Sequence, residues 1–312
     1  MTGKILAIIT LIVMVFSVVG CGKESTASIE INSSVFGKDH SHIYSPIFTK
    51  EKLPVVDGST ANIPLYSLIL QRILEISEEE ANSMINFTTT PTAYENMAAG
   101  IADMLLVYEA SADTEKSFLK NVKLDYHEIG RDGLVFIVNE KNPIESLTTV
   151  QIIDIYSGKI KNWKEVGGKD EAITAYQRDG NSGSQALMQK LVMEDAEMAD
   201  APTELVPAGM GDLIDRLAEI NEIDAGAIGY SVFYYAETMY KKKGLKFIKV
   251  DGVMPSNATI GDRSYPHTND FFAVVRKGEG RENVLNLLYW ILSEEGKKAI
   301  IDAGYVYSGR VK

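Results

Sequence analysis

Two stretches of this chain set hydroxyls, glycines and a cation side by side in the way an oxyanion site requires. In Tyr176-Gln177-Arg178-Asp179-Gly180-Asn181-Ser182-Gly183-Ser184-Gln185, Gly180 and Gly183 let backbone N–H groups curl inward as a nest. Ser182 and Ser184 add hydroxyl donors, and Arg178 offers a planar, permanently charged fork to two oxygens at once. The bland alternative is a solvated loop with Arg178 paired to Asp179 or another acid. In Asp57-Gly58-Ser59-Thr60-Ala61-Asn62-Ile63-Pro64, Ser59 and Thr60 are natural helix caps, Gly58 allows a turn closed to other residues, and Pro64 suits a first helical turn. The free N–H groups there would hold an oxyanion, or the segment is a capped helix and nothing more.

A third candidate lies where the apolar run 103–108 ends in Tyr108 and Glu109. Either side chain would emerge at a sheet edge and could reach a ligand, while Glu109 could equally cap the next helix or stand in water. The run Thr88-Thr89-Thr90-Pro91 occupies a similar edge, and Thr90 is its best placed hydroxyl donor.

These residues need a scaffold that brings strand ends together. Short apolar runs over 53–57, 85–88, 103–108, 133–139, 172–177 and 271–276 read as strands. Amphipathic stretches over 64–76, 93–100, 149–157, 184–193, 210–220 and 281–292 read as helices. The alternation predicts an α/β fold with mainly parallel sheets, in which ligands bind beyond the carboxyl ends of strands. Roughly 260 residues follow position 52, more than one core of usual size needs, so two lobes are expected.

Composition limits the partners. The 43 acidic and 31 basic residues give a net charge of −12, which excludes nucleic acid but not a small anion held by local dipoles and one arginine. At the N-terminus, Lys4 precedes the apolar stretch 5–19, and Val18-Val19-Gly20-Cys21 has lipobox spacing. Residues 1–20 are therefore expected to be a secretory signal, too short to span a bilayer. Cys21 is the single cysteine, so no internal disulfide can form, and it is the expected lipidation site. Residues 21–52 read as a flexible tether. The four histidines, His40, His42, His127 and His267, form no metal or triad pattern, and no Walker loop or nucleophile elbow is present. No cofactor, metal or catalytic residue is expected. A phosphoester hydrolase on the same scaffold and a cell-surface sensor or adhesion module remain as alternatives.

Taken in order, the segments resemble the phosphate-binding proteins of phosphate ABC transporters, in the two-lobed periplasmic-binding-protein superfamily. The resemblance rests on Asp57-Gly58-Ser59-Thr60, on 152–158 followed by Lys161-Asn162-Trp163, on Arg178-x-x-Asn181-Ser182-Gly183-Ser184, on Gly226-Ala227-Ile228-Gly229-Tyr230 and on the ending Gly304-Tyr305-Val306. It implies a type II fold with the second lobe inserted into the first and ligand in the cleft: 53–139 and 246–312 as lobe I, 140–245 as lobe II. It also implies a monomeric, non-enzymatic receptor that passes phosphate to ABC permease subunits and is membrane-bound through its lipid alone. Ser59, Thr60, Thr90, Tyr108, Glu109, Arg178, Ser182, Gly183 and Ser184 would form the site. The family strand matching 102–108 usually ends in serine or in an aspartate that accepts the anion's proton. Tyr108 and Glu109 stand there instead, which keeps other small oxyanions or organic anions open as ligands.

Replacing Cys21 with Ala should move the protein from the membrane fraction to the medium or periplasm with its ligand affinity unchanged. Fractionation followed by immunoblotting checks this, and a variant recovered wholly with membranes sinks the anchor assignment.

Overall fold

The structure is a computed structural model that describes residues 48–180, 182–207, 209–219 and 226–309. The expected signal, Cys21, nearly all of the expected tether, His40, His42 and Asn181 lie outside the described residues. Ordered packing begins inside the segment read as tether, where Phe48 packs on the core and Lys50–Lys52 forms a 3-10 turn.

Ten strands are present among the described residues: β1 (Val56–Gly58), β2 (Met104–Tyr108), β3 (Leu124–Asn139), β4 (Ser146–Leu147), β5 (Thr174–Ala175), β6 (Ala227–Val232), β7 (Leu245–Phe247), β8 (Lys249–Val250), β9 (Thr268–Arg276) and β10 (Val306–Tyr307). The α-helices are α1 (Ile63–Leu74), α2 (Glu78–Ser83), α3 (Thr90–Ala99), α4 (Ala112–Phe118), α5 (Thr149–Tyr156), α6 (Gly183–Met188), α7 (Met210–Glu219), α8 (Asn257–Gly261), α9 (Glu282–Leu292) and α10 (Glu294–Asp302).

The strands run in the order β1-β2-β9-β3-β6-β5, with β10 and β7 also paired to β3 and a separate β4-β8 ribbon. β3 is the member both halves share. Its residues from Leu124 to Gly133 pair with β9, and those from Leu134 to Val138 pair with β6. This is a two-lobed α/β architecture in which one long strand belongs to both sheets. The parallel pairing expected of the sheets is seen in β1·β2, β5·β6 and β4·β8. β9 and β3 run antiparallel to each other and to their other neighbours, because the chain crosses between the sheets on β3 and returns to the first sheet on β9.

β2 shows why the core takes this form. All five of its residues are buried. Met104, Leu106 and Tyr108 enter the main core, while Leu105 and Val107 pack on the other face against Ala93, Tyr94 and Met97 of α3. A strand covered on both faces reads as a continuous apolar run, as this one does. The stretch 85–88, expected as a strand, is instead an extended connection without a ladder. Ile85 N donates to the Asn82 carbonyl, and Thr88 N and Oγ1 donate to the Asp57 carboxylate. Thr90, expected in a loop, begins α3, whose cap is Thr89.

Gly130 sits in β3 at an irregularity in register between Glu128 and Gly130, and a Cβ there would overlap the Phe271 ring. That ring is held edge-on between Tyr108 and Tyr305 and cannot swing away. Gly130→Ala should therefore destabilise the protein by about 1–3 kcal/mol. Gly280→Ala, with open space around it, should change stability by less than about 0.5 kcal/mol. Chemical denaturation midpoints of the two variants check the contrast.

Candidate anion-binding site

The site is assembled from the carboxyl end of β1 outward. Asp57 is buried at 4 % exposure, and its carboxylate accepts from Gly58 N at 2.7 Å, Thr88 N at 2.8 Å, Thr88 Oγ1 at 2.9 Å and Asn96 Nδ2 at 2.8 Å. One side chain thus ties the β1 exit to the connection before α3 and to α3 itself. Beside it, Ser59 N donates to the Leu106 carbonyl at 3.0 Å, and Ser59 Oγ accepts from Ala61 N at 3.4 Å. Thr60 opens the 3-10 turn that leads into α1. Gly58 was expected to supply an unusual turn; its φ is not positive. It is needed for space instead, since a Cβ would overlap the Leu106 carbonyl oxygen and press on Phe87.

The second wall is the start of α3. Thr89 caps it by accepting from Thr92 N at 3.5 Å. The next hydroxyl, Thr90 Oγ1, is buried and finds no partner among the described residues. A buried hydroxyl without a partner is costly unless something else meets it. At a helix N-terminus the natural occupant is an anion, since the dipole and free N–H groups point the same way. A Cβ added to Gly183 would lie 3.4 Å from Thr90 Oγ1, so α3 and α6 begin face to face.

The α6 wall carries the cation. Ser182 Oγ caps α6 by accepting from Gln185 N at 3.1 Å and lies 3.5 Å from Ser184 Oγ. Arg178 is 6 % exposed, which rules out the solvated-loop alternative. Its Nη1 donates to Ser184 Oγ at 3.3 Å, its Nε donates to the Pro207 carbonyl at 3.2 Å, and its backbone N donates to the Tyr230 hydroxyl at 3.1 Å. Burial pulls the Arg178 pKa below the ordinary arginine value, with the Tyr230 phenol and Asp212 acting against that shift. The guanidinium stays charged and is held in one orientation.

Thr90, Tyr108, Glu109, Gly183 and Lys190 line one narrow crevice with Pro91. Glu109 forms an ion pair with Lys190, in the π-helical turn Gln189–Met193 that continues α6. Of the residues expected from sequence, Thr90, Tyr108, Glu109 and Gly183 share this crevice. Arg178, Ser182 and Ser184 stand at the start of α6, and Ser59 and Thr60 at the exit of β1. The latter five do not line the crevice: Ser182 and Ser184 adjoin Gly183 in the chain, and Ser59 and Thr60 follow Asp57 at the end of β1.

Sequence reasoning missed Asp57 as an organiser, Tyr230, Lys190 and Asp132. Asp132 is 3 % exposed; it accepts from Gly133 N at 2.8 Å, Tyr234 N at 3.1 Å and the Tyr108 hydroxyl at 3.1 Å. Burial pushes its carboxyl from 3.8 up to about 6, against the pull of those hydrogen bonds. A folded-state value above the unfolded one means that the protonated acid favours folding. That contribution is present below about pH 4 and is lost as the pH rises through about 6. Asp132 lies just ahead of 133–139, the stretch read as a strand, and within the longer β3 that runs from Leu124 to Asn139. Among the described residues no group of three or more His, Cys, Asp or Glu side chains could hold a metal. His267 is buried and engaged with Thr149 Oγ1 at 3.1 Å.

A family model described as a PBP superfamily domain matches residues 54–295. The chain is 26 % identical over 258 residues to the phosphate-binding protein PstS of Bacillus subtilis, covering 80 % of this chain and 79 % of that one. It is 28 % identical over 261 residues to the protein of the same name from Staphylococcus epidermidis, covering 81 % and 78 %. Among solved structures it is similar to a Clostridium perfringens protein assigned as a phosphate ABC transporter substrate-binding protein and holding bound phosphate. The TM-score is 0.64 and the identity 25 %, over 82 % of this chain and 99 % of that one. An ABC-type phosphate transport receptor from Vibrio cholerae shares the fold with a TM-score of 0.62 at 24 % identity, over 81 % and 99 %.

Thr90→Val separates a ligand role from a structural one. Removing a buried hydroxyl that lacks a partner should leave stability unchanged or raise it by up to about 1 kcal/mol. Loss of one hydrogen bond to a charged ligand should weaken inorganic phosphate binding about tenfold or more. Thermal unfolding and calorimetry on the same preparation check both halves.

Proposed function

The chain belongs to the PBP superfamily, and we propose that within it this protein is an extracytoplasmic receptor that binds phosphate and delivers it to an ABC importer. Delivery would be to the importer's permease subunits, by a monomer held to the membrane through a lipid on Cys21. It would be a receptor and not an enzyme. The observation that carries the reading is the buried, unpartnered Thr90 hydroxyl at the start of α3, opposite Gly183 at the start of α6. Two helix N-termini meeting at one crevice, with Arg178 held on Ser184 behind one of them, form a positive pocket in an acidic protein. That is what a small tetrahedral anion needs. The names carried by the Bacillus, Staphylococcus and Clostridium relatives agree with that chemistry.

Ser59, Thr60, Thr90, Ser182, Gly183 and Ser184 would supply neutral donors, and Arg178 the full charge. Tyr108 and Glu109 would close the crevice side. The test is the cation. Removing one partner of a desolvated charged pair costs on the order of 2–5 kcal/mol. Arg178→Ala should therefore weaken inorganic phosphate binding roughly thirtyfold to several thousandfold. Arg178→Lys should recover only part of the loss, because an ammonium cannot make the two-pronged contact. An alanine variant with wild-type phosphate affinity and unchanged melting overturns the reading.

A further inference from the structure

Two of the residues that line the crevice carry a charge, Glu109 and Lys190, and they are paired with each other. They come from different parts of the strand order β1-β2-β9-β3-β6-β5. Glu109 is the first residue beyond β2 and shares its side of the crevice with Thr90 of α3, which packs on β2. Lys190 belongs to the other side, with Gly183, Ala186 and Leu187 of α6, the helix that follows β5. These four stand at i, i+3, i+4 and i+7, so they form one face of one helix. The side chains of an alanine and a leucine can pack against the opposite side but make no polar contact with it. Lys190 does, through its ammonium.

The exposure of the pair sets its strength. The Lys190 and Glu109 side chains are 46 % and 48 % exposed, so water screens their attraction and ordering two long chains opposes it. Such a pair shifts an equilibrium by no more than about fivefold. A catch of that strength biases two walls toward each other without locking them. Its place on the helix sets how it acts. Lys190 is two turns beyond Gly183, about 10 Å along the axis. It therefore stands away from the helix start, where a Cβ on Gly183 would lie 3.4 Å from Thr90 Oγ1, and bears on that start through the helix instead of by contact.

We propose that Lys190 is a positioning residue of the anion site: by gripping Glu109 from the far end of α6 it straps the two sides of the crevice together and slows escape of the bound anion. The inference rests on the phosphate reading above. The start of α6 and Thr90 can share one anion only while the two sides face each other, and the strap keeps them so without touching the ligand. Because the pair is exposed, dissolved salt loosens it: the screening length falls from about 30 Å at 0.01 M to about 3 Å at 1 M. The competing role for Lys190 is that of a cation in the last turn of a helix, where it complements the dipole. That role needs no acid at position 109.

The test follows release of inorganic phosphate. Protein loaded with isotope-labelled phosphate is chased with excess unlabelled phosphate at about 0.01 M and about 1 M ionic strength. The proteins are wild type, Lys190→Gln, Glu109→Gln, the double variant carrying both, and the charge swap of Glu109→Lys with Lys190→Glu. At low salt each single variant should release phosphate about two- to fivefold faster than wild type. The double Gln variant should be no faster than either single one, because a strap can be cut only once. The swap should recover at least about half of the loss, and at high salt all five should release at similar rates. Lys190→Gln with the wild-type rate at low salt overturns the inference. So do single effects that multiply in the double variant, or a swap that releases as fast as the singles; a Glu109 that contacts the anion itself would give both. Should the swap fail to fold, as read from its melting curve, the two singles and their double complete the cycle without it. A wild type that retains no labelled phosphate defeats the phosphate reading and this inference with it. A wild type that retains phosphate, with variants that behave in any of these contrary ways, defeats the inference alone.

Discussion

A carboxylate taken out of water must find a counter-charge or a full set of donors, and Asp57 finds the donors. Gly58, Thr88 and Asn96 reach it from the end of β1, the connection before α3, and α3. The clasp ties the start of α3 to the exit of β1, alongside the packing of α3 on β2 and the bond from the Tyr94 hydroxyl to the Tyr108 carbonyl. The orientation of Thr90 follows, since it opens the helix that Asn96 anchors. Gly58 is drawn so close to the Leu106 carbonyl that no side chain fits. The geometry of the whole first wall is the consequence of satisfying one buried negative charge.

It is less strange than it first seems that an acidic protein should organise an anion site around a buried acid. Asp57 is neutralised by neutral dipoles whose hydrogens point at it. Those dipoles then present their opposite ends elsewhere. The positive character of the crevice comes from two helix starts and from Arg178, all acting over a few ångströms, where net charge counts for little. Arg178 is held by Ser184 and the Pro207 carbonyl, so its fork is aimed before any ligand arrives, and less ordering is left to oppose binding.

The two sheets meet on β3, and Asp132 is bonded to what lies on either side of that meeting. Its partners come from β2, from β3 and from Tyr234, two residues beyond β6. A side chain at such a junction feels any change in the relation of the sheets. Its raised pKa shows that the surroundings solvate it less fully than water would. The phenols around it, Tyr108, Tyr234 and Tyr305, form an aromatic shell with Phe271, in which Tyr234 and Tyr305 stack at 3.6 Å between centroids.

What the sequence determined by itself was local. The cap at Ser59 depends on a hydrogen bond two residues away, and composition within that range reveals it. The buried run ending at Tyr108 was legible because burial on both faces demands unbroken apolar residues, and Arg178 stood out as the one cation among hydroxyls and glycines. Tertiary structure decided everything that depends on distant partners. Asp57 meets Thr88 across 31 positions, Tyr108 meets Asp132 across 24 and Glu109 meets Lys190 across 81. β3 begins nine residues before the stretch read as a strand and takes in Asp132, and 85–88, read as a strand, has no ladder. Periodicity records which face of an element is buried; it holds no record of which polar group waits on the other side of a fold, and that pairing is where the chemistry of this site lies.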